Sequence, residues 1–129
     1  NNNPKVTFEG AFPNQEIGNV LAGADFVIVP SILYENCPMV ILEALYAGRP
    51  VVTSNVGGMA ELIQDGVNGL TFRVGDAGDL QDKVRHLAAH RDALTSFQHQ
   101  IVPPDSMQTV TETVAGTYRR LLRQDDPEG

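Results

Sequence analysis

The chain has 129 residues, a net charge of −7 and an apolar fraction of 42%, which are typical of one globular domain. The negative charge argues against a nucleic-acid partner, because nucleic-acid-binding proteins carry basic surfaces. A single cysteine, Cys37, excludes an intramolecular disulfide and suits a reducing compartment. No apolar run reaches the ~20 residues of a transmembrane helix.

The chain begins with Asn1 and a loop-like run that leads directly into a strand pattern. We therefore expect a piece excised from a longer protein. Apolar and polar side chains alternate in residues 6–9, which predicts a strand with one covered face. After a loop at 10–14, residues 15–24 predict a short helix. Residues 26–29 are apolar at every position, which predicts a strand buried on both faces, as in the centre of a parallel sheet.

Residues 38–47 predict a helix, because Pro38 suits its first turn and Gly48 its exit. Residues 51–53 predict a second buried strand, and a short helix is predicted at 59–64. Together with the preceding segments they alternate strand with helix across short loops.

The second half of the chain begins with a predicted turn at 65–69 and an alternating, edge-type strand at 70–74. Apolar residues recur with helical spacing over residues 79–98, which predicts one helix with Asp79 as its N-cap. Pro103 and Pro104 break the chain before the last helix.

A last helix is predicted at 106–123, with one apolar side, and residues 124–129 are predicted to be a tail. Residues 1–123 would then form one domain. The alternation of strands and helices predicts an α/β fold with a parallel, Rossmann-like sheet and flanking helices.

In an open parallel sheet, ligands bind beyond the carboxyl ends of the strands. The most informative loop in such a position is 30–38, which runs from a strand into a helix. Backbone N–H groups in the first turn of a helix are unpaired and can bind phosphate. No glycine-rich phosphate motif accompanies this loop, so the signal is weak by itself.

Glu43 is the one charged residue of a helix that is otherwise apolar on all sides, which predicts a helix buried on all sides. An unpaired carboxylate is costly to bury. Glu43 must therefore face a specific donor or a cleft that a ligand fills, and the hydroxyls of a ribose would suit it. The alternative is that Glu43 reaches solvent or bonds to a backbone N–H. Glu35 also has two interpretations. It is either an acid whose negative charge is stabilised by the positive end of the helix dipole, or an acceptor of hydrogen bonds from ligand hydroxyls.

Glu35 and Glu43 bracket seven residues, an E-x7-E arrangement within a longer ordered series of motifs. The series closely resembles the donor-binding C-terminal domain of the family 4 retaining glycosyltransferases, which have the GT-B fold. The resemblance covers about residues 6–87. The segments that carry it are ADFVIVPS at 24–31, EALYAGRPVVT at 43–53, VGGMAELI at 56–63 and DGVNGL at 65–70.

The resemblance implies transfer of a sugar from a UDP- or GDP-sugar to an acceptor, with retention of anomeric configuration. Glu35, as the implied catalytic residue, would contact hydroxyls of the donor sugar, and Glu43 the ribose. Ala11 and Phe12 would lie along the nucleobase. The implied donor-binding residues are Asn36, Cys37, Pro38, Met39, Val40 and Glu43.

The sequence departs from the family pattern after its first glutamate. Where the family usually has Gly-Phe-Gly, this chain has Asn36, Cys37 and Pro38. Proline has no backbone N–H, so Pro38 cannot donate a hydrogen bond from the main chain. This difference affects the contacts with the sugar and therefore which nucleotide-sugar binds.

The resemblance also implies groups that this chain lacks: basic residues that hold the diphosphate, and an N-terminal domain that binds an acceptor glycan, lipid or small molecule. We therefore expect the chain alone to bind nucleotide weakly and to catalyse nothing. No cofactor or metal is implied. The expected location is cytoplasmic, with peripheral attachment at the inner membrane face as the alternative for the full-length protein.

The implied sheet order is 3-2-1-4-5-6, and this chain would supply strands 3, 4, 5 and 6. The strand at 26–29 would then have an open apolar edge, which invites pairing with a partner fragment or formation of a homo-oligomer.

Two other patterns have ordinary interpretations. His86 and His90 have the spacing of zinc ligands on a helix, but no H-E-x-x-H motif accompanies them, and a solvated face is expected. Cys37 has no base or second cysteine close in sequence, so we interpret it as a lining residue and not as a nucleophile.

Two alternatives to a transferase stay open: a GT-B epimerase that acts on a nucleotide-sugar, and a non-catalytic α/β binding module.

Overall fold

The computed structural model of the protein describes residues 3–124. Three parallel strands form its sheet, in the order β1-β2-β3. Val27 pairs with Val51, which pairs in turn with Gly69, so the carboxyl ends of the strands meet at one edge. The strands are β1 at Val27–Val29, β2 at Val51–Ser54 and β3 at Gly69–Phe72.

Helices connect and follow the strands, as parallel pairing requires. In the described part of the chain, a 3-10 turn at Asn14–Glu16 leads into the first of them. The α-helices are α1 at Ile17–Ala22, α2 at Met39–Tyr46, α3 at Gly57–Leu62, α4 at Ala77–Ala89, α5 at Arg91–Gln100 and α6 at Met107–Gln124. The predicted α/β fold with a parallel sheet and flanking helices is confirmed.

Two apolar clusters cover the two faces of the sheet, because successive side chains of a strand point to opposite faces. Val51 belongs to the cluster under α2 and α3, and Val52 to the cluster under α4 and α5. Every residue of β2 is buried, as predicted for 51–53. The first cluster comprises Ile41, Ala44, Leu45, Val51, Met59 and Ile63. The second comprises Val52, Leu70, Phe72, Leu87, Leu94 and Phe97.

The predicted strand at 6–9 is wrong: this segment has no regular secondary structure and no strand pairing, and its Phe8 is 82% exposed. A strand requires a neighbour for its N–H and C=O groups, and no strand of residues 3–124 lies beside this segment. The predicted burial of 26–29 on both faces is also wrong, because Ile28 is 41% exposed. The predicted open edge is present, since β1 pairs only with β2 in the described structure.

The third strand is an edge strand, as predicted, but β3 ends at Phe72 and leaves Arg73 and Val74 exposed. The predicted single helix at 79–98 is wrong. The chain leaves the helical conformation at His90 (φ −121°, ψ 81°), which separates α4 from α5.

The predicted N-cap is also wrong. Asp76 caps α4, because its Oδ1 accepts the backbone N–H of Asp79 at 2.9 Å. The carboxylate of Asp79 instead accepts the backbone N–H of Arg73 at 2.9 Å. The helix therefore begins three residues before the sequence pattern predicts.

The remaining helices differ from their predictions in exposure and extent. Helix α2 is not buried on all sides, because Met39 and Tyr46 are 60% and 66% exposed. Helix α3 begins at Gly57 and not at residue 59. Helix α6 forms where predicted and extends to Gln124, and the rest of the predicted tail lies outside the described residues.

The predicted apolar side of α6 is largely exposed, as at Tyr118, which is 65% exposed. None of the helices described in residues 3–124 combines the length and the apolar character that crossing a bilayer requires.

Candidate functional site

The loop that follows β1, residues 30–38, packs against the first turn of α3. The N–H of Gly58 donates to the carbonyl oxygen of Glu35 at 2.7 Å. A Cβ on Gly58 would overlap the carbonyl oxygen of Asn36, and a Cβ on Gly57 would lie 2.9 Å from that of Glu35. Only glycine allows this approach, and Gly57 also has a positive φ of 54°. The sequence pattern predicted only a helix entry at this pair, although a Gly-Gly step just after a buried strand was the available signal for a close backbone contact.

The carboxylate of Glu35 is held from within its own loop. The hydroxyl of Ser31 donates to Glu35 Oε1 over a long distance of 3.4 Å. Ser31 Oγ in turn accepts the backbone N–H of Leu33 at 3.2 Å. Glu35 is half-buried, so its carboxylate is oriented by the protein and still accessible. Ser31 is a further residue for which the sequence pattern predicted no role.

Pro38 is the N-cap of α2, one position before the first turn in which it was predicted, and it is buried. Its carbonyl oxygen accepts the N–H of Ile41 at 3.1 Å. In residues 3–124 the N–H groups of Met39 and Val40 have no protein acceptor. These groups carry the positive end of the helix dipole, and such an end can bind an anion.

Glu43 lies one turn after Met39 on α2, half-buried. It lines a cavity of about 470 Å³ between α1, α2 and the start of α6. Besides Glu43, the polar residues that line it are Asp105 and Ser106. The large apolar side chains of the wall are Ile17, Leu21, Met39, Leu42, Tyr46 and Met107.

The Glu43 carboxylate has no hydrogen-bond or ion-pair partner within the described residues. The arginines that form ion pairs there, Arg73 and Arg91, contact aspartates elsewhere in the chain. The alternative in which Glu43 bonds to a backbone N–H is therefore not observed, whereas its partial exposure agrees with the alternative in which it reaches solvent. A carboxylate with free acceptor capacity in an apolar wall can receive hydroxyl donors from a ligand.

The predicted nucleobase residues lie apart from this cavity. Ala11 and Phe12 belong to the exposed segment before the 3-10 turn. Phe12 lines a separate cavity of about 520 Å³, together with Glu9 and Glu16. Glu35 thus lies in the loop that leads into α2 and Glu43 on α2 itself, whereas Phe12 lines a different cavity.

The histidine pair lies at the end of α4, outside the loop of residues 30–38. The rings of His86 and His90 stack with their centroids 4.5 Å apart, and His90 Nδ1 hydrogen-bonds with the carbonyl oxygen of His86. No group of three or more metal-ligating side chains occurs in residues 3–124. Cys37 is exposed and unbonded, just before the N-cap of α2.

A parallel α/β sheet with a ligand-accessible helix N-terminus at its carboxyl edge defines the chain as a Rossmann-like domain. Residues 1–90 match the model of the family described as Glycosyl transferases group 1, and the chain belongs to that family.

Characterised relatives are similar over much of the chain. Over 128 residues the chain is 34% identical to the glycogen synthase of Mycobacterium tuberculosis, covering 93% of this chain and 30% of that protein. It is 36% identical over 90 residues to the D-inositol 3-phosphate glycosyltransferase of Nocardia farcinica, covering 70% of this chain and 20% of that protein. The chain thus spans less than a third of the length of either relative.

A crystal structure of Anabaena HepE in complex with UDP and glucose is similar in fold. Its TM-score to this chain is 0.74 at 25% identity, over 81% of this chain and 29% of that one. The match agrees with the parallel sheet and flanking helices described above.

Proposed function

We propose that the protein containing this chain is a family 4 glycosyltransferase that transfers a sugar from a nucleotide diphosphate-sugar to an acceptor with retention. This chain would form its donor-binding part. One observation carries the proposal: Glu43 is an unpaired carboxylate in an apolar cavity wall, one turn beyond the free N–H groups of α2. Family membership and the UDP and glucose in the similar HepE structure support it.

Each part of the site has a task in this reaction. The N–H groups of Met39 and Val40 would stabilise the diphosphate, on which negative charge develops as the bond to the sugar breaks. The Glu43 carboxylate would accept hydrogen bonds from the two ribose hydroxyls, because one carboxylate offers acceptor positions for both. Glu35 would accept hydrogen bonds from hydroxyls of the donor sugar, and neither glutamate is proposed to form a covalent intermediate.

The remaining partners follow from the same proposal. The acceptor, a glycan, lipid or small molecule, would bind to a separate N-terminal domain. The chain alone would bind nucleotide weakly and be inactive, because the site described here contains no lysine or arginine to hold the diphosphate. A cytoplasmic location and a homo-oligomer formed through the free edge of β1 stay predictions.

Ligand binding by the full-length protein tests the proposal. We expect UDP or GDP to raise its melting temperature, because a ligand at a hundred times its Kd stabilises the folded state by about 2.7 kcal/mol. We expect the corresponding nucleotide-sugar to be consumed only when an acceptor is present. An isomerised donor without transfer would favour the epimerase, and no thermal shift with either nucleotide would contradict a nucleotide-sugar site.

A further inference from the structure

We propose that Ser31 and the Gly57–Gly58 pair are positioning residues for Glu35, and that they control recognition of the donor sugar separately from binding of the nucleotide. This inference rests on the proposed function. It assigns a task to three residues that do not themselves line the Glu43 cavity.

The hydroxyl of Ser31 has a defined direction. One lone pair of Ser31 Oγ is occupied by the N–H of Leu33 at 3.2 Å. The hydroxyl proton is therefore free to point at Glu35 Oε1, 3.4 Å away. This contact restricts the rotation of the Glu35 side chain and leaves Oε2 available for a ligand hydroxyl.

The glycine pair holds the backbone of Glu35. The 2.7 Å bond from Gly58 N–H to the Glu35 carbonyl ties the loop to α3. Because an added Cβ at Gly58 would collide with the backbone of Asn36, a larger residue would push the loop away from α3. Ser31 thus positions the carboxylate of Glu35, and Gly58 positions its main chain.

The nucleotide side of the site is held by different contacts. Helix α2 is anchored in the core by Ile41, Ala44 and Leu45, which are 0–4% exposed. Its free N–H groups and Glu43 are therefore fixed by packing under the helix and not by Ser31. Loss of the Ser31 hydroxyl should weaken sugar recognition and leave nucleotide binding intact.

The test compares four forms of the full-length enzyme: wild type, Ser31→Ala, Ser31→Val and Ser31→Thr. The readouts are kcat/KM for UDP-glucose and the inhibition constant of UDP, or the GDP pair if wild type uses GDP-sugars. We expect Ser31→Ala and Ser31→Val to lower kcat/KM about tenfold, as for loss of a hydrogen bond to a charged group. Ser31→Thr keeps the hydroxyl and should restore most of the activity, and UDP inhibition should stay within about twofold in all four.

Gly58→Ala provides a second variant, with Gly116→Ala as its control because a Cβ at Gly116 meets open space. We expect Gly58→Ala to lose at least as much kcat/KM as Ser31→Ala, and Gly116→Ala to match wild type. If Gly58→Ala does not fold, the comparison of the three Ser31 variants with wild type tests the inference by itself.

An active wild type with an unchanged Ser31→Ala variant would overturn the inference and leave the proposed function standing. An equal loss of UDP binding and sugar turnover in Ser31→Ala would overturn it as well, because that pattern indicates a general structural role. A wild type that turns over no nucleotide-sugar would contradict the proposed function, and the inference with it.

Discussion

The hydroxyl of Thr53 donates a hydrogen bond of 3.0 Å to the carbonyl oxygen of Val29, joining the central strand to the last residue of β1. Thr53 is fully buried, and Val29 is its partner in the parallel register. The bond lies where β1 ends and the loop with Ser31 and Glu35 begins. It therefore helps to define the starting point of the loop that carries part of the candidate site.

Replacing Thr53 by valine keeps the shape of the side chain and removes its hydroxyl. We expect the free energy of unfolding to fall by about 1–3 kcal/mol, because the partly buried carbonyl oxygen of Val29 loses its hydroxyl donor. Denaturant titration of both proteins measures this difference. Thr53→Ser, which keeps the hydroxyl, should retain more of the stability than Thr53→Val, and the reverse order would show that the methyl group matters more than the hydrogen bond.

At Gly69, as at Gly57 and Gly58, the neighbouring backbone lies too close to admit a side chain. A Cβ there would overlap the carbonyl oxygen of Val51 on the neighbouring strand. We expect Gly69→Ala to lower the free energy of unfolding by about 3 kcal/mol, since strands must separate to admit the methyl group. Gly116→Ala, in open space on α6, should instead stabilise the protein by about 0.5–1 kcal/mol. Equal effects of the two variants would refute the steric argument.

Asp79 makes stability depend on pH at the acid end. The backbone N–H of Arg73, followed by the charges of Lys83 and Arg73, lowers the pKa of the Asp79 carboxyl below its ordinary value. A lowered folded-state pKa contributes stability above the unfolded pKa, at about pH 4, and this contribution disappears as pH falls through the folded value. We expect wild type to have a higher melting temperature than Asp79→Asn at neutral pH. We expect this difference in melting temperature to shrink below about pH 4.

Thermal melts between about pH 2 and pH 7 give this comparison. Asp82→Asn removes a negative charge from an exposed position of the same helix and serves as the control. If the difference in melting temperature between wild type and Asp79→Asn stays constant across the acid range, the hydrogen bond from Arg73 does not discriminate between the charged and the protonated Asp79 carboxyl.

Glu43→Gln tests the ligand side of the site without changing its shape. Glutamine has one acceptor oxygen where glutamate has two. Its amide group is a hydrogen-bond donor and would face ribose hydroxyls that are also donors. We expect kcat/KM for the nucleotide-sugar to fall by at least about tenfold in the full-length enzyme, with an unchanged melting temperature. Glu61→Gln, at an exposed position on α3, is the matched control. Full activity in Glu43→Gln would contradict a role of this carboxylate in binding the donor.

The sequence predicted those features that depend on local composition. The apolar run at 51–53 identified the buried central strand, and Pro38 marked the start of α2 within one residue. These predictions succeed because strand burial and helix capping are encoded by a few neighbouring side chains.

Tertiary contacts decided the rest. Residues 6–9 have a strand pattern but no neighbouring strand in residues 3–124, and a lone strand cannot satisfy its own backbone groups. Whether Met39 and Tyr46 are covered depends on what packs on α2, which the apolar pattern does not specify. The contact of Gly58 with Glu35 joins residues 23 positions apart, so only the folded sheet, which brings two loop ends to one edge, could show how that glutamate is held.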